Sequence, residues 1–328
     1  MSDPLSPGKP TRIAFIGGTG RSGSTLVSRV LGSVGGVCSV GELCWLWSYG
    51  VTNNRACGCG AAFHDCSFWS GVGARAFGGW DNLDAPRATA LRRRLTRNRR
   101  LPALWSGGRG EFARDLQEYT DLLAPLYHAI RDESGARLIV DNSKQATAAL
   151  VARRVPGVQL QLIHLVRRSH GVAHSWTKSV ARTDMGGREM RRRSPALTAL
   201  RWTVDNALLE LLGRSGTPRT LVRYEDFVLD VRGETERILR FLGEPVDPAG
   251  LGFIGPDWVE LGVDHSVWGN PMRLRTGREP LRRDDSWRAG LPATDRRIVT
   301  ALSLPALARY GYLGAGRSGS RLRNPASY

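Results

Sequence analysis

The sequence predicts an α/β protein in three layers, α/β/α, with a central parallel sheet between two layers of helices. Short apolar runs of strand type alternate with segments of helical periodicity along the 328 residues, as in sheets whose strands are joined by crossover helices. Polar or charged residues follow each predicted strand directly, at the sheet edge where parallel α/β proteins bind ligands. Hydrophobic residues make up 41% of the chain, which is enough for one large core.

The N-terminal part contains two predicted strands, followed by a long region without strands. The first strand, residues 12–16, leads into a glycine-rich turn and an apolar stripe at helical spacing, and the second covers residues 34–40. The strand pattern is then lost, and helical periodicity is clearest at residues 112–130. We therefore predict that residues 46–135 form a mainly helical insertion over the mouth of the sheet.

The C-terminal part returns to alternating strands and helices. Further predicted strands lie at residues 138–141, 158–166 and 220–224. The predicted helices of this part end near residues 154, 181, 212, 242 and 310. The folded domain is expected to span residues 11–313, with disorder at 1–10 and 314–328, because both terminal segments are polar and rich in Pro, Gly or Ser.

Positive charge dominates the chain. The formal net charge is +17 at pH 7 and only three lysines are present, so arginine supplies almost all of it. A field of this sign attracts polyanionic ligands. No nucleic-acid-binding motif accompanies the charge, so no specific nucleic-acid partner is expected. The chain has no run of about 18 apolar residues and no signal-peptide pattern, and we expect a cytoplasmic protein without a transmembrane segment.

The segment that joins the first strand to the first helix is the most informative. Gly18-x-x-x-x-Gly23-Ser24-Thr25 matches the ATP/GTP phosphate loop, except that Ser24 stands where the lysine should be. A strand, a glycine-rich turn and a helix N-terminus direct backbone N–H groups and the positive end of the helix dipole at one anion. Arg21 brings a positive charge instead of the lysine. The residues expected to hold a phosphate are Gly20, Arg21, Ser22, Gly23, Ser24 and Thr25.

The other predicted strands also end in groups suited to chemistry. Glu42 follows the second strand, Lys144 the third, Arg167 the fourth and Tyr224 the last. Parallel strands bring these ends to one edge of the sheet. The sequence therefore predicts one site that combines anion-binding groups with a carboxylate and an ammonium group.

Two of these elements resemble the sulfotransferases that use 3′-phosphoadenosine-5′-phosphosulfate as donor. Arg21-Ser-Gly-Ser-Thr25 resembles the 5′-phosphosulfate loop of that family. Leu165-Val-Arg167, with Ser175 eight residues after the arginine, resembles its 3′-phosphate element. The resemblance covers residues 10–45 and 136–312, and it is to tyrosylprotein sulfotransferases and to bacterial sulfotransferases of the same type.

The resemblance implies a P-loop-like fold and the transfer of a sulfonate group to an acceptor hydroxyl without a metal. It implies that Arg167 and Ser175 hold the 3′-phosphate, that Tyr224 contacts the adenine and that Lys144 stabilises the transition state. Glu42 is the implied general base. The acceptor is expected to be a small molecule, glycan or lipid bound by the helical insertion, and the oligomeric state is not predicted.

Two further assignments concern arginines. Arg21 is expected to neutralise the sulfonate and the bridging oxygen as charge develops during transfer. A second clamp on the 3′-phosphate is assigned to Arg273, in preference to Arg275 or Arg278, because Gly269-Asn-Pro-Met-Arg273 resembles the C-terminal loop of a bacterial family member.

Alternative interpretations remain open. A nucleotide kinase or NTPase of the same loop class would use ATP–Mg²⁺, although Ser24 counts against it. A polyanion-binding protein is supported by charge alone. His170 or His265 could replace Glu42 as the base, since histidine has that role in other branches of the family.

A cysteine cluster stands apart from these motifs. Cys57, Cys59 and Cys66 lie close together in the sequence, with His64 between them. Structural thiols, a disulfide and a zinc site are the three interpretations. The spacing matches none of the strong metal-binding patterns and two good cysteine pairs are absent, so we expect structural thiols and no metal.

Overall fold

The computed structural model describes residues 10–179, 181–182, 187–189 and 191–313. The termini predicted to be disordered, residues 1–10 and 314–328, lie outside this part of the chain apart from Pro10. The strands are β1 (Thr11–Gly17), β2 (Val37–Gly41), β3 (Leu138–Lys144), β4 (Val158–Val166), β5 (Ala181–Arg182), β6 (Arg188–Glu189), β7 (Arg219–Arg223), β8 (Trp258–Leu261) and β9 (Gly277–Pro280).

The helices alternate with these strands. They are α1 (Ser24–Gly32), α2 (Ser67–Phe77), α3 (Ala85–Leu95), α4 (Leu101–Ser106), α5 (Gly110–Ser134), α6 (Ala146–Ala152), α7 (Ser169–Thr177), α8 (Pro195–Arg214), α9 (Tyr224–Leu229), α10 (Val231–Leu242), α11 (Trp287–Gly290) and α12 (Ala293–Arg309). In the described part of the chain, none of the helices combines the length and the hydrophobicity that a membrane-spanning helix needs.

The central sheet has five parallel strands in the order β2-β3-β1-β4-β7. Gly17, at the end of β1, is in register with Lys144 of β3 and with His164 of β4. The C-terminal ends of the strands therefore meet at one edge, as the sequence predicts. In this order β2 and β3 lie on one side of β1, and β4 and β7 lie on the other. Open α/β sheets bind ligands in the crevice that forms where the strand order reverses in this way.

Alternate residues of β1 face opposite layers of the protein. Ile13 and Phe15 belong to a core cluster shared with α5 and α6. Ala14 and Ile16 belong to a second cluster, shared with α1 and α10. All four side chains are fully buried. A sheet that is buried on both faces is the predicted three-layer arrangement, and it explains why its strands read as continuous apolar runs.

Between β2 and β3 the chain is helical in the described structure. A short 3₁₀ turn and a π-helical segment, Leu46–Thr52, follow directly after Glu42, and α2 to α5 come next. The longest of these helices, α5, has 25 residues and continues through Pro125. The predicted insertion is thus built mainly of helices, and its function on the acceptor side stays a prediction.

Two predicted helices differ from the structure. The helix expected after β7 is divided into α9 and α10 at Asp230, whose φ of −143° is not helical and whose side chain accepts a hydrogen bond from the Gly233 N–H. A capping aspartate competes with helix continuation in this way. The helix expected to reach residue 181 ends at Thr177, and β5 and β6 form a small antiparallel pair beyond it.

Candidate active site

The phosphate-loop segment lies between the end of β1 and the start of α1. Gly23 has a φ of +86°, and α1 begins at the next residue without a side-chain cap. A Cβ at Gly23 would lie 2.3 Å from the Tyr224 ring, and a Cβ at Gly18 would lie 2.5 Å from the Leu165 carbonyl oxygen. Glycines at both positions let the backbone lie directly against β4 and α9. The turn thus leads directly into the N-terminus of α1, the end of a helix that attracts anions.

Arg21 has a backbone conformation that is unusual for an arginine. Its φ is +74°, in the left-handed region that side chains with a Cβ seldom adopt. Its guanidinium lies 5.3 Å from the centre of the Trp176 ring, and the Trp176 Nε1–H donates to the Gly20 carbonyl at 3.1 Å. An indole of α7 thus supports the loop beside Arg21. Strain of this kind is concentrated at functional sites.

Arg167 connects the end of β4 to the same loop. One guanidinium nitrogen donates to the Arg21 carbonyl oxygen at 3.1 Å, and the other donates to Asp284 Oδ2 at 2.8 Å. The guanidinium also lies 4.8 Å from the centre of the Tyr224 ring. Its side chain is only 8% exposed. A guanidinium carries five N–H groups, so these two bonds leave donors for a ligand.

Asp284 is a member of this arrangement that the sequence analysis did not identify. Burial opposes ionisation of its carboxyl group, but hydrogen bonds from Ser286 and the charge of Arg167 outweigh burial and lower the Asp284 pKa to about 2. The carboxylate therefore stays charged and holds Arg167 in position. A second aspartate, Asp285, follows Asp284 directly, and nothing in the local sequence marks Asp284 as the partner of Arg167.

Glu42 and Lys144 form an ion pair at the ends of the neighbouring strands β2 and β3. Lys144 has a φ of +69°, and its carbonyl oxygen accepts a hydrogen bond from the Gly18 N–H at 3.1 Å. A Cβ at Gly269 would lie 3.5 Å from Glu42 Oε1 and 3.8 Å from Thr25 Oγ1. The structure thus brings Glu42 and Lys144, two of the three predicted catalytic residues, together beside the phosphate loop.

Asp141 organises the backbone below this ion pair. Its carboxylate accepts hydrogen bonds from the Ser143 N–H at 2.9 Å and from the Tyr127 hydroxyl at 2.8 Å. Burial raises the pKa of Asp141 to about 6, although these hydrogen bonds oppose the rise. The Ser143 hydroxyl in turn accepts the Cys44 N–H at 2.9 Å. This chain of bonds ties the end of β3 to the turn that follows Glu42.

Comparison with a family model identifies the protein family of the chain. Residues 14–248 match the model of the sulfotransferase family, which is well over half of the chain. The chain belongs to the sulfotransferase family. It is therefore a sulfotransferase enzyme, as the sequence analysis predicts, and its phosphate-loop segment, Glu42, Lys144 and Arg167 all lie within the matched residues.

Solved structures of sulfotransferases are similar to this chain. The sulfotransferase domain of the Synechococcus PCC 7002 olefin synthase is 24% identical, with a TM-score of 0.53 over 91% of this chain and 95% of that one. The sulfotransferase domain from the curacin biosynthetic pathway is 20% identical, with a TM-score of 0.48 over 90% of this chain and 98% of that one. No curated protein matches the chain. At this identity the first of these structures supports the fold, and it confirms the predicted class.

Ser175 lies on the predicted helix, whereas Tyr224, predicted as the last residue of a strand, begins a helix. Ser175 is half-buried on the second turn of α7, next to Trp176. Tyr224 is the first residue of α9, and its ring is held between the backbone of Gly23 and the guanidinium of Arg167. Contact of Tyr224 with an adenine stays a prediction, since the ring also has this packing role.

Arg273 of the sulfotransferase reaches the neighbourhood of the phosphate loop, because a Cβ at Gly269 would lie 3.9 Å from Arg273 Cδ as well as close to Glu42 and Thr25. Its side chain is buried, and its guanidinium donates to the Ser266 carbonyl at 3.1 Å and to the Ala56 carbonyl at 2.8 Å. The two other candidates, Arg275 and Arg278, are largely exposed and pair with Glu279 and Glu260. Both carbonyls that Arg273 bonds belong to sequence neighbours of the cysteine cluster. Contact of Arg273 with the 3′-phosphate stays a prediction.

The two histidines considered as alternative bases have other partners. His170 Nε2 lies 2.9 Å from the Thr300 hydroxyl, and its ring packs beside Trp287. Burial lowers the pKa of His170 to about 4. His265 Nδ1 faces the sulfurs of Cys57 and Cys66. Glu42 is therefore the candidate that stands beside the phosphate loop.

Proposed function

We propose that this sulfotransferase transfers the sulfonate of 3′-phosphoadenosine-5′-phosphosulfate to a hydroxyl group. The acceptor O–S bond forms while the bond between sulfur and the bridging oxygen breaks, the acceptor proton passes to Glu42, and adenosine 3′,5′-bisphosphate leaves. The observation that carries the proposal is the Arg167 guanidinium. It lies at the end of β4 and is hydrogen-bonded to the backbone of the phosphate loop at Arg21.

This pairing suits a donor with two separate anionic groups. The α1 N-terminus and the loop amides fit the 5′-phosphate. Within the described part of the chain the buried Ser22 hydroxyl has no hydrogen-bond partner, so it is available to the same group. Arg167 presents a planar fork of the kind that binds phosphate oxygens in a bidentate manner, and with Ser175 on α7 it is assigned to the 3′-phosphate.

The chemistry is assigned to the ion pair and to Arg21. We assign to Glu42 the role of taking the proton of an acceptor hydroxyl, and a positioned base of this kind typically contributes about 10²–10⁴-fold to rate. The Lys144 ammonium and the Arg21 guanidinium neutralise negative charge that develops on the bridging oxygen. Both residues have positive φ values, a strained conformation of the kind that clusters at functional sites.

The acceptor is assigned to the helical side of the site. The π-helical segment Leu46–Thr52 starts four residues after Glu42, and such segments occur frequently at functional sites. Within it the Tyr49 ring stacks on Trp268 at 3.7 Å. The Trp268 carbonyl accepts the Glu42 N–H at 3.0 Å, so this aromatic pair adjoins the proposed base. A small molecule, glycan or lipid with an accessible hydroxyl is the proposed acceptor class.

Calorimetric titration with adenosine 3′,5′-bisphosphate, AMP and ATP–Mg²⁺ at two salt concentrations tests the donor assignment. We expect micromolar binding of the bisphosphate and much weaker binding of AMP. Preference for ATP–Mg²⁺ would support the kinase alternative and contradict the proposal. Equal binding of all three ligands that weakens steeply with salt would indicate a general polyanion surface.

A further inference from the structure

Three cysteines and one histidine form a compact cluster outside the proposed reaction site. The ligating atoms of Cys57, Cys59, Cys66 and His265 all lie within 4.8 Å of one another. The Cys66 sulfur is 3.7 Å from the sulfurs of Cys57 and Cys59. His265 Nδ1 is 3.8 Å from the Cys57 sulfur and 3.3 Å from the Cys66 sulfur.

These separations match the edges of a tetrahedral zinc site. With Zn–S bonds of about 2.3 Å and a Zn–N bond of about 2.0–2.1 Å, a tetrahedron has S–S edges of about 3.8 Å and S–N edges of about 3.6 Å. A disulfide would need its two sulfurs about 2.05 Å apart. The cluster is therefore too wide for a disulfide and the right size for a metal ion.

The local backbone is shaped to present the three sulfurs. Cys57-Gly-Cys59-Gly60 forms a tight turn, in which the Gly60 N–H donates to the Cys57 carbonyl at 3.0 Å, and Gly60 has a φ of +91°. The backbone N–H of Cys59 is directed at the Cys57 sulfur, and that of Trp69 at the Cys66 sulfur. N–H groups directed at sulfur in this way orient metal ligands.

The fourth ligand comes from a distant segment and is held in place on two sides. The His265 ring stacks on Phe68 with centroids 4.7 Å apart. The His265 carbonyl accepts the Trp69 Nε1–H at 2.9 Å. These contacts direct Nδ1 at the sulfurs. The three cysteines therefore gain a fourth potential ligand, His265, which lies 199 residues after Cys66 in the sequence.

The geometry points to a structural zinc site made of Cys57, Cys59, Cys66 and His265. Three thiolates and an imidazole are soft ligands that suit Zn²⁺, and four protein ligands leave no open position for catalysis. The zinc would link the loop that contains Cys57 and Cys59 to the segment at residues 264–268, which contains His265. This inference departs from the sequence expectation of structural thiols without a metal, and it does not depend on the proposed sulfonate transfer.

Metal analysis of the full-length chain, purified without a polyhistidine tag, tests the site. We expect about one zinc per chain by inductively coupled plasma mass spectrometry. Cys59→Ser and His265→Asn should lose most of this zinc. Cys38→Ser is the matched control, because Cys38 is a free cysteine outside the cluster, and it should retain the zinc. Circular dichroism reports whether each variant is folded.

A second measurement on the unsubstituted chain keeps the test decisive if the variants do not fold. Replacement of the metal by Co²⁺ should produce the intense absorption bands of tetrahedral cobalt–thiolate coordination. A chain that purifies without metal and gives no such bands with Co²⁺ overturns the inference. A mass reduced by about 2 Da, indicating a disulfide within the cluster, overturns it as well.

Discussion

Removal of the Arg167 side chain is the sharpest test of the two-anion donor site. If its guanidinium holds the 3′-phosphate, Arg167→Ala should weaken adenosine 3′,5′-bisphosphate binding and leave AMP binding nearly unchanged. The variant also loses the hydrogen bond from Arg167 to the Arg21 carbonyl. Damage to the phosphate loop from that loss would weaken both ligands equally. The ratio of the two dissociation constants therefore separates recognition of the 3′-phosphate from support of the loop.

The expected size follows from the setting of the guanidinium. It is nearly buried, with 8% of its side chain exposed, so a phosphate bound to it is poorly screened by water. A hydrogen bond between charged groups contributes about 1.5–3 kcal/mol. At about 1.4 kcal/mol for each factor of ten, the bisphosphate should bind roughly 10- to 150-fold more weakly, and the preference over AMP should fall by the same factor.

Isothermal titration calorimetry of both nucleotides with both proteins provides the four constants. Arg278→Ala is the control, because it removes an arginine whose side chain is 70% exposed and paired with Glu260. The control should change both affinities little and equally. An unchanged ratio of bisphosphate to AMP affinity in Arg167→Ala would refute the assignment of Arg167, whatever the loss of overall affinity.

Three further variants test other parts of the structure. Glu42→Gln should reduce turnover by about 10²–10⁴-fold and preserve bisphosphate binding; normal turnover would exclude Glu42 as the base. Gly23→Ala should impair folding or nucleotide binding, because it places a Cβ at a φ of +86° and 2.3 Å from a tyrosine ring, whereas Gly35→Ala meets open space and should be neutral in urea denaturation. His164→Gln should flatten the pH dependence of stability. Burial lowers the His164 pKa from 6.5 to about 4, so the native state binds fewer protons than the unfolded state. This difference contributes about 3 kcal/mol to the free energy of unfolding above pH 6.5, and the contribution is lost as the pH falls from 6.5 to 4. An equally steep loss of stability in the variant would contradict this assignment.

Much of the fold was predictable because the sheet is buried on both faces. The limits of β4, Val158–Val166, agree with the predicted strand because a doubly buried strand is a continuous apolar run. The phosphate loop was predictable because only glycine fits where its backbone meets β4 and Tyr224. The division between α9 and α10 was not predicted, since periodicity alone does not show that Asp230 caps a helix.

Contacts between distant segments were less accessible to sequence reasoning. Nothing near Asp284 in the sequence marks it as the partner of Arg167, which is 117 residues away. Arg273 is the last residue of a motif that resembles a family loop, and the sequence alone does not show that its guanidinium donates to two backbone carbonyls. Side chains of arginine reach far enough that several orientations suit one backbone position. Tertiary packing, which the local pattern does not encode, selects among them.

The segment at residues 264–268 joins two features that are separate in the sequence. At one end His265 faces the cysteine sulfurs. At the other, the Val267 N–H donates to the Val40 carbonyl and the Glu42 N–H donates to the Trp268 carbonyl, both at 3.0 Å. The backbone of the proposed base is thus held by a segment that the proposed metal would anchor. The segment also contacts α1, where Asp264 pairs with Arg29 at 3.3 Å, but the donor loop itself packs against β4 and Tyr224. Loss of zinc should therefore disturb turnover more than nucleotide binding. This difference would identify the cluster as a support for Glu42 in particular, and not for the whole fold.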